Sequence, residues 1–496
     1  MRRKEPVMQH TSNATARIIE HFQMVCAVPR PSGSEQRIRA RLVQWAAEHQ
    51  LQSRTDQVGN LVIEVPASDG CRSDTTVVLQ GHMDMVCEKL PDSRHNFETD
   101  PIATVIHGEW LAADGTTLGA DNGIAIALAL AVAQEQHKPH PALELLFTVE
   151  EETGLSGAAR LDGSLLRGSV LINLDSEDEA VITVGCAGGT RMVLTLPLRR
   201  TAVPAGLCAY RVTVSGLSGG HSGTDIGLGR ANANVVLTRL LLQLDKAHSV
   251  RLASLSGGHA DNAIARHATA DIVMAAREFS ACSKSLAQLQ HDIRCEYQRQ
   301  DPDLSIECVQ LDSLPREVFP PAATSRVLQL LNALPHGVAV MSPSAAGLVQ
   351  TSSNLAAVAT NQHGVEIVCS LRGSVASELD ALAAKHASLA ALAGAQVRTD
   401  AVYPGWEPDF ESELLARARA AGRACFQSEP RVEVVHAGLE CGVIGARYPQ
   451  MQMISIGPTI INPHSPHERL HLRSLERTWE FLTAILATYC SDCANS

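Results

Sequence analysis

An α/β fold is predicted for this chain: a mixed sheet sandwiched by helices and interrupted in sequence by an inserted α+β domain. Three observations carry the prediction. Apolar, strand-like runs alternate with helically spaced segments between residues 14 and 174. The texture changes at Gly185-Cys186-Ala187-Gly188-Gly189, after which strand-like segments dominate, with helical stretches at 229–247 and 281–298. The α/β pattern then returns after the turn Tyr403-Pro404-Gly405-Trp406-Glu407-Pro408. At 496 residues the chain is too long for one ordinary core. The boundaries fall at 1–187 and 403–496 for the split domain and 188–402 for the insert.

The elements follow in order. Residues 14–28 and 34–50 have helical spacing, the second starting after Pro31-Ser32-Gly33-Ser34, a capping region that puts Glu35 in the first turn. Asn60–Val65 and Thr75–Gln80 are rich in β-formers and bounded by turn residues. Residues 121–136 read as a buried helix, alanine-rich and free of proline, while Leu143–Val149 and Ser169–Leu174 are apolar runs of the kind found in sheets covered on both faces. After the insert come a helix at 411–425, strands at Arg431–Val435 and Met451–Ile456, and a last helix near 473–489.

Composition excludes several classes. With 45% apolar and 19% charged residues the chain reads as globular. A formal net charge of -12 argues against a non-specific nucleic-acid or anionic-membrane binder. The longest apolar run, Ile124–Ala133, is too short to span a bilayer, and the basic start lacks the apolar segment of a secretory signal. A soluble, cytoplasmic protein is expected, with the residues before about 12 a disordered extension. The thirteen cysteines are scattered; Cys26, Cys208 and Cys369 read as buried thiols of a reducing compartment. Cys490 and Cys493 have CxxC spacing but lack a second pair, so neither is assigned a metal or redox role.

Chemistry concentrates at the ends of the predicted strands. The run Leu143–Val149 leads into Glu151-Glu152. Adjacent carboxylates repel, and a metal ion supplies the charge that keeps both ionised. Neighbouring strand side chains point opposite ways, so one can bind metal while the other faces a water. That is the layout of a metallohydrolase, with Glu152 as ligand and Glu151 as general base. Four further junctions share the pattern: Gly81-His82-Met83-Asp84, the glycine-rich loop 114–123 with Asp121, Asn173-Leu174-Asp175-Ser176, and the segment 457–467 with His464. Ligands of an open α/β sheet collect at the carboxyl ends of its strands. His82, Asp121, Glu152, Asp175 and His464 are thereby offered to one place. Two imidazoles and three carboxylates suit two Zn2+ ions if one carboxylate bridges them, and Co2+ or Mn2+ would also fit such a donor set.

Each element has a bland alternative. A histidine after a strand is often only hydrogen-bonded, Asp121 could be a helix N-cap, the acidic run from Asp175 to Glu179 could be a solvated turn, and His464 could merely fix a proline-rich loop. The coincidence of all five at strand-to-loop junctions outweighs them.

Several of these blocks, taken in order, resemble a known family. His82-Met83-Asp84, Gly119-Ala120-Asp121-Asn122-Gly123, Glu151-Glu152-Thr153-Gly154, the run Asn173–Glu179, His436-Ala437-Gly438-Leu439-Glu440-Cys441-Gly442 and Gly457-Pro458-Thr459 with Pro463-His464-Ser465-Pro466 are similar to those of the aminoacyl-histidine dipeptidases, also called cytosol non-specific dipeptidases, of the co-catalytic zinc peptidase superfamily. The likeness runs from about residue 14 to 489. It implies that Asp121 bridges two metals, that His82 and Asp175 complete one site, and that Glu152 and His464 complete the other. Asp84 would orient the His82 imidazole, and Glu151 would pass a proton from the metal-bridged hydroxide's parent water to the leaving amine. In the insert, which becomes a lid and dimerisation domain, His221 within Gly219-Gly220-His221-Ser222-Gly223 would support the oxyanion. Arg372 would grip the substrate's free C-terminal carboxylate, with Asn262 and Glu440 as further polar contacts. His467 departs from the acidic residue expected there, though Glu468 follows it.

The implied activity is metal-dependent hydrolysis of unblocked dipeptides, including Xaa-His peptides such as β-alanyl-histidine, by a homodimer acting on a small peptide, with no nucleic-acid or membrane partner. The alternatives are an aminoacylase-like deacylase using the same metals, and a non-catalytic dimerising homologue. The second should show a damaged ligand set, whereas every ligand and the base are present here. The glycines at 185–189 lack the GxGxxG spacing of a nucleotide loop.

Overall fold

Eight strands form the main sheet, in the order Gln52–Thr55, Leu61–Val65, Ala142–Thr148, Thr76–His82, Val170–Asn173, Gln452–Ser455, Val181–Cys186 and Arg431–Val435. This computed structural model describes residues 13–135, 137–248, 250–343 and 347–491. The four central strands run parallel, and antiparallel strands flank them. Their apolar runs are buried on both faces, as all-parallel segments require. Because they are parallel and in register, with His82 beside Thr148 and Ser455 beside Asn173, their carboxyl ends share one edge.

Helix Ala120–Ala133 packs on this sheet against Thr76–His82, and Asn13–Cys26 packs in turn against Ala120–Ala133 and Leu472–Ser491. Ile18, Phe22, Ile124, Leu128, Trp479 and Leu482 join Leu79, Leu145 and Ile172 in one core. Each fully buried aliphatic side chain contributes about 1.5–3 kcal/mol. A smaller sheet pairs the hairpin Ile460–Ile461 and Arg469–His471 with Trp110–Ala113 and Thr104–His107. It fastens the loop that carries His464 to the segment leading into Asp121.

The chain divides into two units, 1–185 with 406–434 and 439–496, and 186–405 with 435–438. The short return of 435–438 to the second unit has no counterpart in the sequence reading. The second unit is built on a larger antiparallel sheet ordered Ser305–Gln310, Leu207–Ser215, Ala268–Ala275, Arg251–Gly257, Val349–Asn361, Gly364–Gly373, Gly188–Pro197 and Gln396–Tyr403. Helices Ala233–His248, Phe279–Tyr297, Pro321–Ala333 and Ala376–Ala393 contribute to its separate core.

Two local expectations are corrected. The helix Gln36–Glu48 starts without a side-chain cap. Glu35 instead accepts from Gly33 N at 2.8 Å and from Glu150 N at 3.1 Å, tying this turn to the strand end that carries the glutamate pair. Cys490 is not a free thiol but is disulfide-bonded to Cys71 across 419 residues; Cys493 lies outside the described residues. Cys26 and Cys369 are buried thiols as expected, while Cys208 is only half-buried. No helix among the described residues is long and apolar enough to cross a membrane.

Candidate metal centre

The strand ends deliver their side chains to one place in the first unit. Three overlapping groups of donor atoms each fall within 4.8 Å: His82, Asp121 and Asp175; His82, Glu151 and Glu152; and Asp121, Glu152 and His464. Asp121 sits between two of them, with Oδ1 3.1 Å from His82 Nε2 and Oδ2 2.9 Å from His464 Nε2. His82 Nε2 also lies 3.6 Å from Asp175 Oδ1, and His464 Nε2 lies 3.1 Å from Glu152 Oε2. Asp121 reaches this position because residues 121 and 122 depart from helical φ/ψ at the start of Ala120–Ala133, so it is not the N-cap that its position suggests. Asn122 braces the same turn, accepting from His82 N and donating to Leu174 O, both at 3.1 Å.

Asp84 does more than orient His82. One oxygen lies 3.3 Å from His82 Nδ1, and the carboxylate accepts from Glu151 N at 3.0 Å, Glu152 N at 3.2 Å and Ser32 Oγ at 2.7 Å. A single buried acid thus sets both the imidazole and the backbone of the glutamate pair. Burial opposes its charge, but His82 and these donors hold its carboxyl down to about 2.

The electrostatics are those of a cradle for cations. Burial raises Asp175 well above the carboxylate range and lifts Glu151 to about 8, neighbouring acids adding to both. Glu152 Oε1 is buried without a partner. Asp121 is held low against burial by His464 and His82. Burial alone would discharge His82, yet Asp175, Asp121 and Asp84 raise it well above its usual value, and hydrogen bonds to Asp121 and Glu152 carry His464 to about 11. Converging N and O donors, an orphan oxygen and crowded acids fit two divalent ions that would replace these protons.

The surrounding carboxylates favour the protonated imidazole of His82 and carry His464 to about 11 in the metal-free protein, and a metal must displace such protons. Zinc binding at pH 7 is expected to release more than one proton, and affinity should climb as pH rises from 5 to 8. Calorimetry in buffers of different ionisation enthalpy measures the count; proton-neutral binding would contradict it.

Other residues are placed differently from expectation. Glu440 is 1% exposed. Its Oε2 accepts from Gln80 Nε2 at 2.5 Å and Thr148 Oγ1 at 2.8 Å. The side chain expected to touch substrate is thus sunk among the strand ends, where burial raises it to about 7. His467 is exposed and belongs to none of the donor groups. The acidic run after Asp175 is only partly a solvated turn, since Glu177 is half-buried and pushed by burial to about 8.

The second unit holds the remaining candidates. His221 Nδ1 accepts from Gly223 N at 3.3 Å and Thr224 N at 3.2 Å. That nitrogen must therefore carry a lone pair, which leaves the proton on Nε2. Burial and Arg372 lower its pKa, keeping the ring a neutral donor. A Cβ at Gly223 would lie 2.1 Å from His436 O and 3.2 Å from Arg372 Cδ, so only glycine fits there. Arg372 is 7% exposed and donates to Tyr403 Oη at 2.9 Å and Ser222 Oγ at 3.4 Å. Asn262 is exposed, and its backbone carbonyl accepts from Ser222 N at 2.7 Å. Tyr403 and His436, the latter bonded to Ser352 Oγ at 2.8 Å, complete the surroundings of Arg372.

Comparison with known proteins gives concordant results. Residues 78–488 match the model for peptidase family M20/M25/M40. The cytosol non-specific dipeptidase of Escherichia coli (strain K12) is 41% identical over 467 residues, covering 94% of this chain and 96% of that protein. The aminoacylhistidine dipeptidase of Vibrio alginolyticus superposes with a TM-score of 0.90 at 37% identity, covering 96% of this chain and 98% of that one. The aminopeptidase PepT of Bacillus cereus ATCC 10987, at 16% identity and a TM-score of 0.55, shares the fold.

Proposed function

This chain belongs to peptidase family M20/M25/M40, and from that premise we propose how its residues carry out metal-dependent hydrolysis of unblocked dipeptides. The observation that supports the assignment best is the pair of donor groups that share Asp121, with Glu151 Oε2 3.9 Å from His82 Nε2. His82 and Asp175 would hold one ion, Glu152 and His464 the other, with Asp121 shared between the two donor groups. Bound there, two divalent ions, zinc by the imidazole-carboxylate donor set, supply Lewis acidity to the peptide carbonyl and to water.

The chain's own groups do the rest. Glu151 takes the proton of the attacking water and returns it to the departing amine. Burial raises its carboxyl to about 8, and positive charge brought into the site would lower it and favour the carboxylate that accepts a proton. His221 presents Nε2–H to the developing oxyanion. Arg372 receives the C-terminal carboxylate, its guanidinium held in plane by Tyr403 and Ser222. The same reading takes the enzyme as a homodimer; a cytoplasmic location and Xaa-His substrates are in line with the names of its relatives.

A panel of free dipeptides beside their N-acetyl derivatives tests the substrate class. Turnover of the free peptides alone is expected; preference for the acetylated forms would make the protein a deacylase. Within that panel Arg372→Ala is expected to raise KM for free peptides by about tenfold to a hundredfold, the scale of a lost charge-assisted pair. An equal loss on C-terminally amidated substrates would remove the assigned role.

A further inference from the structure

Two buried, oppositely charged side chains outside the ligand set hold opposite faces of one short backbone segment. Glu468 is 2% exposed. Both its oxygens are consumed by four consecutive N–H groups: Oε2 by Leu118 at 2.8 Å and Gly119 at 2.9 Å, Oε1 by Ala120 at 2.8 Å and Asp121 at 3.2 Å. Arg30, also 2% exposed, donates to Gly119 O at 2.5 Å, and to Met83 O at 3.0 Å and Asp84 O at 2.6 Å. The Gly119 peptides therefore lie between a buried anion on their N–H side and a buried cation on their C=O side. Among the described residues neither charge has a direct ion-pair partner. The intervening peptide dipoles are what compensate each of them.

The segment needs this treatment. Gly119 has φ +66°, and a Cβ there would lie 2.5 Å from Arg30 Nη2 and 2.8 Å from Met85 Sδ. Four N–H groups pointing one way around a carboxylate form a concave nest, a geometry that ordinarily receives a free anion. Here the chain supplies the anion from the hairpin that also carries His464. Arg30 meanwhile grips the carbonyls just beyond His82. Three ligand-bearing segments, 82–84, 119–121 and 464–468, thus converge on one pair of charges.

We propose that Arg30 and Glu468 form a clamp across the Gly119 peptides that fixes Asp121, relative to His82 and His464, in the geometry that receives both metals. They are positioning residues, and the inference rests on reading the cluster as a dinuclear metal centre. The clamp makes the two sites cooperative in structure: loosening either charge frees the residue that both ions share.

The test uses the full-length protein stripped of metal and titrated with Zn2+ against a chromophoric chelator, with the Co2+-substituted absorption spectrum and apo-protein thermal unfolding in parallel. Glu468→Gln turns an NH2 toward N–H donors, and Arg30→Lys keeps the charge but cannot span three carbonyls. Each is expected to weaken zinc binding by about 10–100-fold, the scale for losing an outer-sphere partner, and to alter the Co2+ spectrum. The loss should fall on kcat more than on KM. The double variant should bind no worse than about the weaker single variant, because both act on one peptide. Wild-type zinc affinity and an unchanged Co2+ spectrum in either folded variant would overturn the clamp, as would losses that multiply in the double variant. Should Glu468→Gln fail to fold, Arg30→Lys alone decides by the same readings. A wild-type protein that binds no zinc would instead remove the metal-centre reading itself.

Discussion

Glu151→Gln is expected to keep both metals and lose about a thousandfold or more in kcat. The glutamine occupies the same volume in the same buried position, so the ligand groups around His82 and Asp121 need not move. What disappears is the ability to accept a proton from water. Glu151 also falls within a possible donor group with His82 and Glu152, and metal content separates the two roles. A pure sample carrying two ions with normal turnover would refute the base assignment. A sample that has lost an ion would make Glu151 a ligand instead.

Asp121→Asn is expected to be still more damaging, because one substitution reaches both ions. The amide keeps one oxygen but gives up the charge, and its NH2 must face His82 Nε2 or His464 Nε2, each about 3 Å away. Affinity should fall at both sites, by more than the roughly 10–100-fold that follows loss of an outer partner. Asp175→Asn, by contrast, touches only the His82 group. Metal stoichiometry at a fixed zinc concentration checks the difference. If Asp121→Asn lost only one ion while Asp175→Asn lost both, the shared carboxylate would be Asp175.

Much of the donor cluster is legible in the sequence because the rule that brings it together is topological. Parallel strands put their carboxyl ends on one edge, and a histidine or acid just past each apolar run must arrive there. The elements around them were legible for the same reason: long runs such as 143–149 and the all-apolar helix after Asp121 admit few other readings. The helices Pro321–Ala333 and Ala376–Ala393 escaped, although the first opens on Pro320-Pro321 with proline at its first turn, a usable start signal.

What stayed hidden was whatever depends on backbone partners. Arg30 stands between Pro29 and Pro31 with no motif to single it out, and its bonds go to three carbonyls that carry no sequence mark. In the sequence Glu468 stands out only as an acid one residue beyond the place where one is expected. Glu440 stands in a motif shared with enzymes, which suggested substrate contact, but nothing in its neighbours announced that Gln80 and Thr148 would bury it. The Cys71–Cys490 pair could not be read from spacing, since partners so far apart leave no local pattern.

The insertion that splits the first unit also dictates when its chemistry can begin. The strand Gln452–Ser455 lies inside the central sheet, and His464 follows it near the end of the chain. During synthesis, five of the six acids and imidazoles emerge early and must wait, bare of their last neighbour, while the whole insert is made. A polypeptide stopped before residue 452 lacks both the strand Gln452–Ser455 and His464, which leaves a gap in its central sheet and an incomplete donor cluster.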